Sequence, residues 1–247
     1  MSRKSENPGN AAGQTRREVL VAGAALAASA TSVRAETVAG ALPWQPGAAS
    51  PPKPIDTSTW HFFAPDEAKA VEALVDRLIP PDPQTPGGKD AGCAAFIDGQ
   101  LAGPYGSAQG LYMVGPFQAG TPQQGPQGQA TPAELYRAAL KAIDDYCHNN
   151  FQGQGFAALA ATDQDALLSG IDSGGIVLDG VNAKLFFELL LQNTMEGFFS
   201  DPLYGGNRDM VGWKMIGFPG SRYDYRAYVE KHNQDLGLTP VSILSKL

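Results

Sequence analysis

The sequence predicts an all-α fold of about five or six helices, joined by long loops rich in glycine and proline. Apolar residues recur with helical spacing in several segments, and no segment shows the sustained alternation of apolar and polar residues that is typical of a half-buried strand. The chain also contains 29 glycines and 19 prolines, many of which lie between the periodic segments. At 247 residues it is long enough for one large helical domain.

The first predicted helix spans residues 65–79. Its apolar residues recur at i, i+3, i+4 and i+7 and therefore share one face: Val71, Leu74, Val75 and Leu78. Pro65 suits the first turn, and Pro80 with Pro81 ends the helix. A second, shorter helix is expected around residues 91–101.

Residues 103–130 are predicted to form a long, mobile surface loop. Glycine, proline and glutamine dominate this stretch, so it buries too little apolar surface to order itself. The sequence leaves open whether the loop has a function. Thr131, Pro132 and Glu134 then form a capping box, which predicts that a helix begins here and continues to about Asn149.

Two further helices are predicted in the second half of the chain. A short one follows Thr162, which with Asp165 matches a helix start. The most apolar one covers residues 181–199. Because polar residues interrupt it, including Glu188, Gln192 and Glu196, we expect a buried core helix and not a membrane span.

Residues 1–35 are typical of a twin-arginine export signal. Arg16 and Arg17 precede an apolar, alanine-rich run at 19–30, and a small-residue cleavage site ends at Ala35. An ordinary secretory signal or a retained anchor are the alternatives, although the run is shorter than the ~20 residues of a membrane span. We interpret residues 36–59 as an extended tether and residues 60–247 as a single helical domain.

The charge of the chain argues against nucleic acid as a partner. The formal net charge is −7, and residues 1–35 contribute five basic and two acidic side chains. Removing this +3 leaves −10 on the mature chain. A protein that binds phosphates needs clustered lysine and arginine, which the mature chain lacks.

Cys93 and Cys147 are the two cysteines of the chain. In an oxidising periplasm such a pair is expected to form a disulfide. The alternative is two buried thiols, since free cysteine is among the most buried residue types.

No pattern of catalytic, cofactor-binding or metal-binding residues emerges. His61, His148 and His232 lack the spacing of a metal site, and Ser173 is outside a Gly-x-Ser-x-Gly nucleophile elbow. The glycines at 153 and 155 echo a dinucleotide fingerprint but follow a helix, where that site needs a strand. The chain is therefore not expected to catalyse a reaction alone.

Residues 193–220, called here the aromatic loop segment, combine five aromatic side chains with several glycines. Such a composition predicts an ordered loop, which either packs its aromatic side chains on the helices or presents them to a partner. The candidate interface residues are Glu196, Phe198, Phe199, Asp201, Pro202, Tyr204, Gly205, Gly206, Asn207, Trp213, Lys214 and Phe218.

Two motifs within this segment resemble the hallmark of the gluconate 2-dehydrogenase subunit 3 family. They read EGFFSDPLYGGN at 196–207 and GWKMIGFPG at 212–220. The residues that end the first predicted helix, LIPPD at 78–82, are similar to the same family. The resemblance covers roughly residues 62–225.

The resemblance implies a non-catalytic small subunit of a membrane-bound sugar or sugar-acid dehydrogenase. In such complexes a large GMC-type subunit holds FAD, and a multihaem cytochrome c carries the haem. The small subunit holds no cofactor and escorts the large one through the twin-arginine translocation machinery to the periplasm, where the complex is membrane-associated. From the residues alone, a free-standing periplasmic oxidoreductase or a small-molecule binding protein stays an alternative.

Overall fold

The computed structural model describes residues 53–118, 120–124, 128–222 and 224–245, all within one compact unit, Ala49–Leu247. The predicted export signal with Arg16 and Arg17 lies outside the described residues, as does the tether up to residue 52. The described part contains six α-helices and no strand, so the predicted all-α fold is confirmed. The helices are α1 (Pro65–Leu78), α2 (Cys93–Ala102), α3 (Pro132–Asn150), α4 (Ala161–Asp172), α5 (Ala183–Phe199) and α6 (Val211–Ile216).

Helix α5 is the centre of the fold and packs against each of the other five helices. Its side chains Phe186, Leu190 and Phe198 are fully buried. The ring of Tyr136 on α3 meets that of Phe186 edge-on, with ring centroids 5.2 Å apart. None of the helices among the described residues is both long enough and apolar enough to cross a membrane.

Two of the three helix starts predicted from capping residues are confirmed, those at Pro65 and Thr131. Glu134 Oε2 accepts a hydrogen bond from the N–H of Thr131 at 2.8 Å, and Thr131 Oγ1 accepts one from the N–H of Glu134 at 3.3 Å. Pro65 occupies the first position of α1. Helix α4 differs, because it begins at Ala161 and Thr162 lies inside it without capping. Helix α6 was not predicted, since its six residues stand among glycines.

A buried carboxylate on α2 fixes the segment that precedes α1. Asp98 is 1% exposed and accepts three consecutive backbone N–H groups, from His61 at 2.7 Å, Phe62 at 2.9 Å and Phe63 at 2.8 Å. Three hydrogen bonds to one charged acceptor hold this stretch of backbone in a single path. The backbone is therefore fixed from His61, four residues before α1 begins.

Cys93 and Cys147 are free thiols in the structure and do not form the predicted disulfide. Both are completely buried in the hydrophobic core. Burial raises the pKa of Cys93 to about 12 and that of Cys147 to about 11. Because the thiolate is the reactive form, both side chains are expected to be inert in the folded protein.

A thiol titration checks this arrangement. In the native protein at pH 8 we expect fewer than about 0.1 thiols per chain to react with an aromatic disulfide reagent within minutes, because both groups are protonated and inaccessible. After unfolding in guanidinium without reductant, about two thiols should react. No reaction in the unfolded, unreduced protein would instead show that the disulfide exists.

Candidate functional site

The aromatic loop segment leaves the core helix and folds back onto its end. After α5 ends at Phe199, Pro202–Tyr204 and Arg208–Met210 form two 3-10 turns, and α6 follows directly. Asp201 caps the first turn, because its Oδ1 accepts a hydrogen bond from the N–H of Leu203 at 2.9 Å. The segment is thus built from short elements that each have their own hydrogen bonds.

Asp201 also joins this loop to the C-terminal part of the chain. It is 7% exposed, and its carboxylate accepts hydrogen bonds from Ser221 Oγ at 3.1 Å, Ser242 Oγ at 2.7 Å and the N–H of Ile243 at 2.8 Å. With Leu203, four donors occupy its two oxygens. Asp201 therefore has a structural role inside this chain.

Asn207 connects the end of α5 to the start of α6. It is fully buried, its Nδ2 donates to the carbonyl of Ser200 at 2.7 Å, and its Oδ1 accepts from the N–H of Gly212 at 2.8 Å. Its backbone is left-handed, with φ of 45°, a conformation that asparagine tolerates better than most residues. Asp209 and Met210 are left-handed too, with φ of 55° and 56°. Such a run persists only where the surroundings fix the backbone.

Two glycines allow the backbone of the loop to touch the core helix. A Cβ on Gly206 would lie 2.2 Å from the carbonyl oxygen of Gly197, and one on Gly212 would lie 2.2 Å from that of Phe198. Both neighbours are helix backbone, which cannot move aside. This close approach explains why glycine occupies these two positions.

Trp213 caps the C-terminus of α5 with its side chain. Its indole Nε1 donates to the carbonyl oxygen of Phe199 at 2.7 Å, which is one of the carbonyls left without a partner at a helix C-terminus. Its ring is buried and meets Phe218 edge-on, with centroids 5.2 Å apart. The aromatic side chains thus serve partly to complete the helix end.

Burial divides the twelve candidate interface residues into three groups. Half are buried and make contacts within the chain: Phe198, Asp201, Gly205, Gly206, Asn207 and Trp213. Phe199 and Pro202 are partly buried. Four are exposed and free to contact another molecule: Glu196, Tyr204, Lys214 and Phe218.

Four exposed apolar side chains lie on α5, on α6 and just after α6, two helices that pack on each other: Met195, Met215, Ile216 and Phe218, called here the α5–α6 patch. The first three are half-exposed, and sequence reasoning did not single them out as interface residues. Helical spacing could have indicated them, because residues one turn apart lie on the same helix face. Met195 lies one turn before Phe199, and Met215 and Ile216 lie one turn after Gly212.

The Phe199 ring lies beside the start of α6, because a Cβ on Gly212 would be 3.1 Å from it. A shallow apolar groove lies on α5 beside Met195, and Glu188, Leu191, Gln192 and Glu196 line it together with Met195. Among the described residues, no group of three histidine, cysteine or acidic side chains is placed to hold a metal ion. The prominent feature of the site is therefore an apolar surface on a rigid support.

The helices and the aromatic loop segment match a known protein-family model. The model described as Gluconate 2-dehydrogenase subunit 3 matches residues 65–220, which is well over half of the chain. The chain belongs to the gluconate 2-dehydrogenase subunit 3 family. Comparisons with curated proteins and with solved structures gave no match.

The gluconate 2-dehydrogenase subunit 3 match coincides with the architecture. It begins at Pro65, the first residue of α1, and ends at Gly220, so it includes all six helices and the aromatic loop segment. The segment before α1 and the segment after Gly220 lie outside it. Membership in a subunit family implies that the chain works within a multisubunit dehydrogenase complex.

Proposed function

We propose that this chain is the non-catalytic small subunit of a periplasmic, membrane-associated gluconate or sugar dehydrogenase, and that it assembles with, stabilises and co-exports the large FAD-bearing subunit. Family membership supports the place in a dehydrogenase complex. The observation that carries the docking role is the α5–α6 patch, which is apolar and exposed and belongs to a segment whose buried polar side chains are hydrogen-bonded within the chain.

The chemistry of the patch suits a protein partner. Aromatic and methionine side chains are enriched at protein interfaces, and Phe218 lies edge-on to the buried Trp213 ring, which restricts its movement. A side chain held in place loses little entropy on binding. Tyr204 and Lys214 add exposed polar groups of the kind found at an interface rim.

The cofactors of the complex are assigned to other subunits. FAD belongs to the GMC-type large subunit, and haem c belongs to a multihaem cytochrome subunit that receives the electrons. This assignment rests on the resemblance of the loop motifs to the family. The contribution of this chain is to hold the large subunit and to carry the export signal for both.

Changing the signal arginines tests the escort role. With Arg16→Lys and Arg17→Lys together, we expect both this chain and the flavin-bearing subunit to stay in the cytoplasm, because the large subunit depends on this signal. The measurement is the amount of each chain in periplasmic and cytoplasmic fractions. Export of the two should fall together, by at least tenfold.

The matched control is Arg3→Lys with Lys4→Arg, which exchanges basic residues of the same signal outside the pair. This control should export both chains normally. Continued export of the flavoprotein in the Arg16, Arg17 variant, while this chain is retained, would reject the escort role.

A further inference from the structure

An exposed apolar tip stands on the long loop between α2 and α3. The tip, residues 111–117, carries Leu111 at 64% exposure, Tyr112 at 84%, Val114 at 66% and Phe117 at 37%. It lies in a stretch without any charged residue, from Gly99 to Ala133, although 17% of the chain is charged. Exposed apolar side chains this concentrated mark an interaction site.

The root of this loop is fixed to the core. Tyr105 donates its hydroxyl hydrogen to Asn193 Oδ1 at 3.1 Å, and Asn193 Nδ2 in turn donates to the buried Tyr136 hydroxyl at 3.0 Å. The N–H of Ala133 donates to the carbonyl of Gly106 at 3.1 Å, and Ala108 is buried. The tip is therefore carried by an anchored base.

The backbone of the tip has unused hydrogen-bonding groups. Leu111 donates its N–H to the carbonyl of Ala108, but in the described chain no hydrogen bond joins the backbone of residues 112–118 to other protein groups. In lipid hydrocarbon such groups would stay unpaired, which is unfavourable, whereas a protein groove can form hydrogen bonds with them. This favours a protein over a membrane as the molecule that covers the tip.

We propose that residues 111–117 are a second docking element, which lies as an extended segment in an apolar groove of the flavin-bearing partner subunit. Tyr112 and Val114 are two residues apart, so in an extended chain they point to the same side and can fill neighbouring pockets. The absence of charge matches the depletion of charged residues in interface cores. The inference rests on the proposed function, because the partner is the same.

A binding measurement tests the tip. The variant combines Leu111→Ser, Tyr112→Ser and Val114→Ser, and the matched control is Val177→Ser, which changes an apolar residue that is 82% exposed elsewhere. We expect the tip variant to raise the Kd for the purified flavin-bearing subunit by roughly 30-fold or more, because buried aromatic and aliphatic side chains dominate interface energies. The control should stay within about twofold of wild type.

Limited proteolysis gives a second, independent readout. Chymotrypsin should cut the free chain after Tyr112, because the backbone there is exposed and unpaired. In the complex the same bond should be protected by at least tenfold in rate, while cleavage elsewhere on the surface continues.

The outcomes separate this inference from the proposed function. Failure of the wild-type chain to bind the flavoprotein would contradict both the proposed function and the second docking element. Wild-type affinity of the tip variant, together with undiminished cleavage of the wild-type chain after Tyr112 in its complex, would overturn only the second docking element. The third measurement is flotation of the chain with phosphatidylcholine vesicles. If the wild-type chain floats and the tip variant does not, while their affinities for the flavoprotein are equal, the second docking element is overturned in favour of a membrane contact.

Discussion

Gly206→Ala is expected to lower the free energy of unfolding by about 3 kcal/mol or more, because the new methyl group would overlap helix backbone. The Cβ position lies 2.2 Å from the carbonyl oxygen of Gly197 and 2.9 Å from Ser200 Oγ. The hydroxyl could rotate away, but the carbonyl belongs to the last turns of the core helix. The loop would have to lift off α5, which would also weaken the two hydrogen bonds of Asn207.

Urea unfolding followed by circular dichroism measures this change. The matched control is Gly110→Ala, where no atom lies within 4 Å of the new methyl group and the backbone is not left-handed. That variant should stay within about 0.5 kcal/mol of wild type. Equal stabilities of the two variants would show that the loop does not pack on α5 as described.

Asp98→Ala is the second substitution with a large expected effect. It removes the acceptor of three backbone N–H groups in a site that is 1% exposed, and we expect a loss of about 3–5 kcal/mol. Asp98→Asn keeps one acceptor oxygen and should cost less, about 1–3 kcal/mol. Asp98→Ala should lose more stability than Asp98→Asn because fewer of the three N–H groups keep an acceptor.

The Asp98 substitutions should also loosen the backbone locally, in the segment before α1. Hydrogen exchange at the amides of His61, Phe62 and Phe63 should accelerate in both Asp98 variants, because their acceptor is lost or weakened. Asp66→Ala changes an acidic residue that is exposed at the start of α1 and should leave these amides protected. Unchanged exchange in Asp98→Ala would mean that the segment before α1 is held by other contacts.

The helices could be predicted from sequence because their signals are local. The apolar stripe of α1 and the capping box of Thr131 and Glu134 each depend on residues within a few positions of one another. The boundaries of α5 were found to within about two residues for the same reason.

The polar anchors could not be predicted, because their partners are distant in sequence. Asp98 binds backbone 35 to 37 residues away, and Asp201 binds Ser242 across 41 positions. Nothing in the residues near Asp98 or Asp201 distinguishes these carboxylates from solvated ones. Helix α6 could not be predicted because no side chain caps its start. Its N-cap residue, Met210, has a left-handed backbone conformation that the sequence does not indicate.

The structure also refines what the family motifs do. Gly206, Gly212, Asn207 and Trp213 are used inside the chain, to bring the loop onto α5 and to complete the helix end. Sequence reasoning could not divide the motif residues between self-packing and docking, because both roles select aromatic and glycine residues. In the proposed function, the exposed side chains of the α5–α6 patch are the part available to a partner.

The most direct test of the central claim is the mass of the assembly that forms when the mature chain is co-expressed with the flavin-bearing subunit. Size-exclusion chromatography with light scattering should give one peak with the mass of a one-to-one complex and the absorbance of flavin. Phe218→Asp with Met215→Asp, which places two charges on the α5–α6 patch, should split it into two peaks. Separate peaks for the wild-type chains would contradict the proposal that this protein is a docked subunit of the dehydrogenase.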